Sequence, residues 1–358
     1  MIMASYQKFL QVGLALDPVH VGSGASGIGR VDLAIVRDPI TQIPKIPGSS
    51  LAGVYRAYVA MHYEEDRQQK CQNQPAVQSG QQSQARQKPF YPDCAGLGLD
   101  GNQGHCRQSD CPVCVVFGYA SGAGQRGGFA GLAAFTDAHV LLFPVPTRQG
   151  PMWVTCPMAL CVIGWKVQGV EEDAVYVENP GNLLNLGWLL LEPRLCYQLA
   201  DVKQHLQSLG IPDYIQNRLA LVPDRLFAHI VNSNLEVRTS VSINPATGAA
   251  EDQALFSYEA LPRATVLVWE IIAKNPAHFR VGSRKIEATV DGSQKIEEPE
   301  HVYQVAQKAH PYLKHLGIGG MGTRGMGRLK VRYENQCPPS QSVQCNHTST
   351  THQEDHNE

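Results

Sequence analysis

Alternating apolar residues predict the first strands of the chain. In residues 10–16 (LQVGLAL) every second position is apolar, which is the period of a strand that buries one face. Residues 31–38 (VDLAIVRD) repeat that pattern, and residues 264–273 (ATVLVWEIIA) form a continuous apolar run of strand length. Further strands are predicted over 132–145, over 152–157 and after the glycine-rich segment near 320.

A helical period of apolar residues appears after a turn at 43–50. Leu51, Tyr55 and Val59 recur at helical spacing, and Ser49 or Ser50 can cap the helix that they predict. This helix is expected to end before residue 66, because 66–92 are rich in glutamine and poor in apolar residues. A second helix is predicted over 298–316.

The order of these elements favours an α+β fold with a mostly antiparallel sheet, since single helices and long loops interrupt the strands. We divide the chain into an N-terminal part (1–65), a Gln-rich and Cys-rich insertion (66–131), a second part (132–336) and a disordered tail (337–358).

Composition narrows the class of protein. The chain has 358 residues, 43% of them hydrophobic, which is enough to bury a sizeable core. A net charge of −2 excludes a globally basic nucleic-acid binder but allows a local basic groove. We expect a cytoplasmic protein that does not enter a membrane, because no apolar run approaches the ~20 residues of a membrane helix and no secretory signal is visible.

Two glycine-rich segments, 22–30 and 317–327, contain the spacing GxGxxG. Strand-like sequence follows both of them, whereas a dinucleotide-binding fingerprint requires a helix there. Glycine still lets a backbone approach phosphates closely. Arg324, Arg328, Lys330 and Arg332 follow in or after the second segment without an acidic neighbour. Phosphate binding and a solvated charged face both fit this pattern.

Four cysteines form the most specific local chemical pattern: Cys94, Cys106, Cys111 and Cys114. Soft ligands at this spacing suit a tetrahedral structural zinc ion, which would stabilise an insertion too small to hold a core. His105 and Cys71 are alternative ligands. Reduced thiols without a metal, or a redox pair, are the other interpretation.

Asp32 and His20 flank the first glycine-rich segment and could supply a carboxylate and an imidazole to one catalytic site. A solvated or capping aspartate would produce the same pattern.

Several blocks of sequence resemble the RAMP superfamily of CRISPR proteins, and among them the backbone subunit of type III-B (Cmr) effector complexes. The blocks occur in the family's order across 8–332 and comprise HVGSGASGIGRVDLAIVRDP (20–39), IPKIPGSSLAGVYR (43–56), residues 135–157, residues 234–262 and LGIGGMGTRGMGRLKV (316–331).

This resemblance implies a ferredoxin-like (RRM-like) palm with inserted fingers and a β-hairpin thumb near 222–262. It implies a subunit that lines up on guide CRISPR RNA with copies of itself, related RAMP subunits and other type III effector subunits. Each subunit would cleave paired target RNA at regular intervals with a divalent metal, Mg or Mn. Selection of the target would lie in base pairing.

The family's catalytic aspartate falls on Asp32 (GRVDL) and its histidine on His20. The residues that the resemblance assigns to RNA contact are Arg30, Arg37, Lys45, Ser49, Ser50, Arg56, Gly320, Thr323 and Arg324. Ala34 and Ala52 depart from the family pattern, and the Cys-rich insertion exceeds it. A non-catalytic guide-binding subunit of a Csm-type or type III-D complex is therefore the alternative, and processing of guide RNA is a third hypothesis.

Overall fold

The computed structural model describes residues 4–26, 31–73, 89–96, 104–120, 127–251 and 255–333. Three subjects of the predictions above lie outside these residues: Arg30, residues 74–88 of the Gln-rich stretch and the tail 337–358.

The elements follow one another as strands interrupted by helices. The helices are α1 (Gly48–Asn73), α2 (Pro112–Phe117), α3 (Pro157–Val162), α4 (Gln198–Ser208), α5 (Asp213–Gln216), α6 (Asp224–Ser233), α7 (Pro299–Gln307) and α8 (His310–His315). The strands are β1 (Tyr6–Ala15), β2 (Gly22–Ser26), β3 (Leu33–Ile35), β4 (Lys45–Ile46), β5 (Ala133–Phe135), β6 (Ala138–Val145), β7 (Met152–Thr155), β8 (Ala174–Val177), β9 (Leu184–Leu186), β10 (Leu189–Leu195), β11 (Leu219–Leu221), β12 (Glu236–Ser240), β13 (Phe256–Ala260), β14 (Val266–Lys274) and β15 (Leu329–Tyr333).

The larger sheet is built around four antiparallel strands in the order β15-β1-β14-β6. Val12 of β1 lies opposite Val268 of β14, and Leu14 lies between Val266 and Lys330. Helix α1 precedes β6 along the chain, and α7 and α8 connect β14 to β15. The strands predicted at 10–16 and 264–273 are therefore confirmed. The stretch predicted over 132–145 forms two strands, β5 and β6, that are interrupted at residues 136–137, and all of these strands belong to one sheet.

The same sheet continues through β7, β11, β8, β10 and β9. Here β11 pairs with β7 in parallel, and β10 with β8 in parallel. The expectation of an antiparallel sheet thus holds for the central strands, whereas the extension is mixed. The sequence predicted no order for this region, because its strands are short.

Helices α1 and α7 cover the central strands. Tyr303 of α7 stacks on Phe9 of β1 with ring centroids 4.0 Å apart, and Tyr55 of α1 contacts Phe135 of β5 at 4.9 Å. Leu51, Tyr55 and Val59 have no exposed area, which confirms the predicted apolar face of α1.

Two helix predictions need correction. Helix α1 continues past residue 66 to Asn73, since the residues there (Arg, Gln and Lys) are strong helix formers although they are polar. The helix predicted over 298–316 is two helices, because Pro311 occupies the first turn of α8, a position where its missing N–H costs no hydrogen bond.

A second, four-stranded sheet has the order β12-β13-β3-β2. Strands β12 and β13 pair antiparallel from Glu236↔Ala260 to Ser240↔Phe256, and we call this pair the hairpin. Part of the segment 222–262, for which the resemblance implies a β-hairpin, is helical (α6), and the first glycine-rich segment begins as strand β2. Strand β2 pairs antiparallel with β3 at Gly22↔Ile35 and Ser26↔Leu33, with an irregular register between these two pairs.

Candidate functional site

An open cleft of about 740 Å³ lies between the second sheet and the loop that follows α8. We call residues 317–327 of that loop the glycine loop. The cleft is lined by Asp32, Leu33, Phe256, Met321, Gly322, Thr323 and Arg324. Three residues predicted from sequence, Asp32, Thr323 and Arg324, are thus brought together although almost 300 positions separate the first from the others.

Asp32 stands at the start of β3 with its side chain exposed. Its Oδ2 accepts hydrogen bonds from the backbone N of Ser257 (2.7 Å) and from the Ser257 Oγ (3.0 Å). The backbone N of Asp32 in turn donates to the Ser257 carbonyl oxygen at 3.1 Å. The backbone N–H of Ser257, and next its hydroxyl, lower the pKa of Asp32, so this carboxylate is ionised at neutral pH.

The glycine loop is fastened to the segment before β2. The backbone N of Gly320 donates to the His20 carbonyl oxygen, and that of Gly327 to the Pro18 carbonyl oxygen, each at 2.8 Å. At Gly319 φ is +89°, and a Cβ there would lie 2.2 Å from the His20 carbonyl oxygen. Only glycine fits this position, because backbone fills the space that a side chain would need.

The Arg324 side chain is exposed at the cleft and lies over the Phe256 ring, 5.3 Å from its centroid. Nη1 of Arg324 also donates to Met321 Sδ at 3.8 Å. These contacts orient the guanidinium, and its other N–H groups can meet an anion in the cleft. Arg328, in contrast, pairs with Asp17 through two hydrogen bonds. Two of the four basic residues noted in the sequence therefore differ: Arg324 lies at the cleft, and Arg328 is bound to an acid.

His20 is buried, with 5% of its surface exposed. Its Nδ1 is 2.6 Å from the Glu259 carbonyl oxygen, and its ring lies against Gly22 and Gly320. It is not among the residues that line the cleft. The predicted catalytic role of His20 stays a prediction, and the contacts of this residue are those of a support for the glycine loop.

The other predicted RNA-binding residues lie elsewhere. Arg37 pairs with Glu259 (Nη2–Oε2, 2.8 Å) and donates to Asn232 from Nε. Lys45 pairs with Asp137 at 2.7 Å and with Asp38 at 3.4 Å. Their positive charges are thus partly neutralised within the protein. Ser49 and Ser50 belong to the first turn of α1, where Ser49 is exposed and Ser50 half-buried.

The sulfur atoms of Cys94, Cys106, Cys111 and Cys114 all lie within 4.8 Å of one another, and we call this group the cysteine cluster. Three of its Sγ–Sγ distances are 3.7, 3.9 and 3.7 Å. Thiolates arranged tetrahedrally around one ion with Zn–S bonds of ~2.3 Å would be ~3.8 Å apart. The cluster could therefore hold a single metal ion.

Cys71, an alternative ligand, is exposed on α1 and is not part of the cluster. His105 is also outside the four-sulfur group: its Nδ1 lies 3.1 Å from Nη2 of Arg56. Burial, and then the Arg56 charge, lower the pKa of His105 to about 4. Its ring is therefore neutral at pH 7 and accepts a hydrogen bond from the guanidinium.

Arg56 is directed toward this cluster. Its Nε donates to the Cys94 carbonyl oxygen at 2.8 Å, and its Nη2 donates to the Gly118 carbonyl oxygen. Burial lowers the pKa of Arg56, and the neighbouring thiols oppose that effect when they ionise. The contacts assign Arg56 to the cysteine cluster, and its predicted contact with RNA remains untested.

The cysteine-containing helix belongs to the main core. Val113, Val115 and Val116 of α2 have no exposed area and pack within the same hydrophobic cluster as the central sheet. The expectation that a metal would stabilise an insertion without a core is therefore wrong at residues 111–116. The segment from Cys111 to the end of α2 is too short for a hydrophobic period in the sequence to reveal that it is buried.

Sequence reasoning missed two groups that shape the site. Ser257 holds the Asp32 carboxylate, and Asp137 both accepts from the first backbone N of α1 (Gly48, 2.8 Å) and pairs with Lys45. No local pattern marks either residue, because each acquires its role from a partner about 90 or more positions away.

Comparison with known proteins identifies the family of this chain. A model of the RAMP superfamily matches residues 14–330. The chain belongs to the RAMP superfamily. Among the relatives of this RAMP protein is Cmr4 of Pyrococcus furiosus, described as a CRISPR system Cmr endoribonuclease. It is 24% identical over 347 residues, which cover 90% of this chain and 95% of Cmr4. The endoribonuclease Csm3 of Enterococcus italicus is 41% identical over 75 residues, 20% of this chain and 35% of Csm3.

Solved structures of the same fold include a chain of the type III-B Cmr-beta complex bound to cognate target RNA, with a TM-score of 0.57 and 15% identity, covering 92% of this chain and 98% of that one. Oligomeric Cmr4 from Pyrococcus furiosus gives a TM-score of 0.53 and 19% identity, covering 93% of this chain and all of that one. The RAMP resemblance predicted from sequence is confirmed. Among the helices of the described residues, none is long and apolar enough to span a membrane.

Proposed function

We propose that this RAMP protein is a backbone subunit of a type III CRISPR ribonucleoprotein that binds guide RNA and cleaves complementary target RNA. The observation that carries the proposal is the cleft, in which an ionised and exposed Asp32 shares one opening with Arg324. The similarity to Cmr4 over 90% of the chain supplies the substrate class. Guide RNA, target RNA, further copies of the chain and other effector subunits are the partners that we propose.

The chemistry requires a distorted RNA. A ribose 2′-hydroxyl attacks its own phosphodiester only when it lies in line with the phosphorus and the leaving oxygen, and an A-form duplex does not allow this alignment. A displaced nucleotide does. The Asp32 carboxylate can take the hydroxyl proton or hold a divalent metal, and the Arg324 guanidinium can neutralise charge that develops on the phosphate.

The glycine loop supports phosphate binding. Gly320 and Thr323 are exposed on it, and glycine permits the close approach of an RNA backbone. Ser49 and Ser50 at the start of α1 offer hydroxyl groups to the guide backbone. Arg37 already pairs with Glu259, and Lys45 with Asp137 and Asp38. An RNA phosphate that binds either cation would therefore compete with these carboxylates.

We propose that the four central strands form the palm. Their connectivity, β1-α1-β6-β14-α7/α8-β15 with the order β15-β1-β14-β6, corresponds to the β-α-β-β-α-β arrangement of a ferredoxin-like sheet. The hairpin is the candidate thumb, since its two antiparallel strands lie within 222–262, the segment expected for that element. This assignment gives the hairpin the task of displacing a nucleotide beside Asp32.

We further propose that the cysteine cluster holds one structural zinc ion. Four thiolates leave no open coordination position, so the ion would stabilise the fold and take no part in cleavage. Elemental analysis of the purified protein should find about one zinc per chain. Absence of zinc, with all four thiols reactive, would exclude the site.

The cleavage proposal is tested with Asp32→Asn in the reconstituted guide-containing assembly. The amide keeps the shape of the side chain and removes its charge, so we expect cleavage of guide-matched RNA to be lost and guide binding to stay within a few-fold. Asp291→Asn is the matched control, because Asp291 also accepts hydrogen bonds from a nearby serine backbone and hydroxyl but lies outside the cleft.

A non-catalytic guide-binding subunit of a Csm-type or type III-D complex is the second candidate. The departures from the family pattern at Ala34 and Ala52 leave it open. Cleavage that persists unchanged in Asp32→Asn would remove Asp32 from the reaction, and wild-type assemblies that bind guide RNA but never cut a matched target would support the non-catalytic role. Cutting of guide precursor without target would indicate guide processing.

A further inference from the structure

The Asp32 carboxylate is held by a strand that is remote in sequence. Ser257 lies on β13 of the hairpin, 225 positions from Asp32. Two of its donors, the backbone N and the hydroxyl, bind the same carboxylate oxygen, Oδ2, at 2.7 and 3.0 Å. Such a pair of bonds restricts rotation of the carboxylate and leaves Oδ1 as the oxygen that meets a ligand from the cleft.

The contact also continues the main-chain pairing of the second sheet. The Asp32 backbone N donates to the Ser257 carbonyl oxygen, one position before the parallel pair Leu33↔Tyr258. The hairpin and the carboxylate are therefore mechanically connected: a shift of β13 along β3 moves the two donors relative to Oδ2.

We propose that Ser257 is a positioning residue for cleavage, which fixes the Asp32 carboxylate from the hairpin and so makes the orientation of this group depend on the position of the hairpin. The inference rests on the proposed function. Ser257 does not act on RNA itself, because its hydroxyl is directed to Oδ2 and it is not among the residues that line the cleft.

The first test measures cleavage by Ser257→Ala in the reconstituted assembly. This change removes the hydroxyl donor and keeps the backbone donor. We expect the single-turnover rate at saturating target RNA to fall on the order of tenfold, as for loss of a hydrogen bond to a charged group. The half-saturating RNA concentration should stay within about twofold, because the interaction acts on the chemical step.

Two further variants separate positioning from folding. Ser257→Thr retains the hydroxyl on a residue that strands favour, and it should restore most of the rate. Ser293→Ala is the matched control, since the backbone N and the hydroxyl of Ser293 also donate to one carboxylate oxygen, Oδ1 of Asp291, but lie outside the cleft and the hairpin. We expect Ser293→Ala to cleave at the wild-type rate.

A second measurement does not depend on cleavage. In protein labelled with ¹³C at the aspartate carboxyl carbons, the Asp32 resonance is identified by its loss in Asp32→Asn. Without added metal it should move in Ser257→Ala, return in Ser257→Thr and remain in place in Ser293→Ala. An unmoved resonance in Ser257→Ala would overturn the proposal.

The two readouts distinguish the possible failures. A displaced resonance together with wild-type cleavage in Ser257→Ala would overturn the positioning role alone. Wild-type cleavage in Asp32→Asn would overturn the proposed function, and with it any catalytic meaning of the Ser257 contact.

Discussion

The cysteine cluster allows a prediction in which the perturbation and its control differ by position alone. Cys106→Ser replaces one sulfur ligand by a hydroxyl, which has a shorter reach and does not ionise at neutral pH. Cys71→Ser makes the same change at an exposed cysteine outside the cluster. When all three proteins are purified in the same buffered zinc, we expect about one zinc per chain in the wild type and in Cys71→Ser, and almost none in Cys106→Ser.

The effect on stability follows from ligand linkage. An ion held at a free concentration ~1,000 times its dissociation constant stabilises the native state by about 4 kcal/mol, less any affinity of the unfolded cysteines for zinc. At roughly 2 °C per kcal/mol for a chain longer than 250 residues, this corresponds to a melting temperature about 8 °C higher. The whole fold should respond, because Val113, Val115 and Val116 beside the cluster belong to the main core.

Calorimetry with buffered zinc and with chelator provides the assay. The wild type and Cys71→Ser should each lose the zinc-dependent part of the melting temperature on chelation, whereas Cys106→Ser should be insensitive to it. Retention of one zinc by Cys106→Ser would refute the ligand assignment. A wild-type melting temperature that does not respond to chelation, despite removal of the zinc, would refute the structural role.

Three further outcomes are expected. Arg37→Met should lower the free energy of unfolding by about 2 kcal/mol in urea titrations, less than for a fully buried pair because the Arg37 and Glu259 side chains are 22% and 12% exposed; no loss would mean that the pair contributes nothing. Gly319→Ala should reduce stability and cleavage, since its Cβ would meet the His20 carbonyl oxygen, whereas Gly322→Ala, which meets nothing within 4 Å, should leave stability unchanged. The pKa of Asp38 is lowered from 3.8 to about 2, mainly because its carboxylate accepts a hydrogen bond from the Thr41 backbone N. The corresponding stability is present above pH 4 and lost as the pH falls toward 2, so acid titration of Asp38→Asn should be flatter in that window than that of the wild type.

Much of the fold could be predicted from local patterns. The helical spacing of Leu51, Tyr55 and Val59 places the buried face of α1, and the apolar run at 264–273 becomes the central strand β14. These predictions succeed because burial of one face imposes a period on the sequence that neighbouring residues alone can show. The end of α1 was predicted wrongly, since a polar composition does not prevent helix formation.

The candidate site divides in the same way. Residue type and spacing already indicate the four cysteines, Asp32 and the glycine loop, because thiols, carboxylates and glycines are limited to few chemical roles. Local sequence carried no indication that Arg56 would face the cysteines, that Arg37 would pair with Glu259, or that Ser257 would hold Asp32.

The order of strands in the two sheets decided those contacts. The hairpin lies beside β3 only because β13 pairs with it, and the glycine loop meets His20 only because β15 returns to the edge of β1. The chain by itself determined which groups were available for chemistry, and tertiary structure determined which of them share a cleft. The physical reason is that hydrophobic period acts over a few residues, whereas a hydrogen bond between positions 32 and 257 depends on every element packed between them.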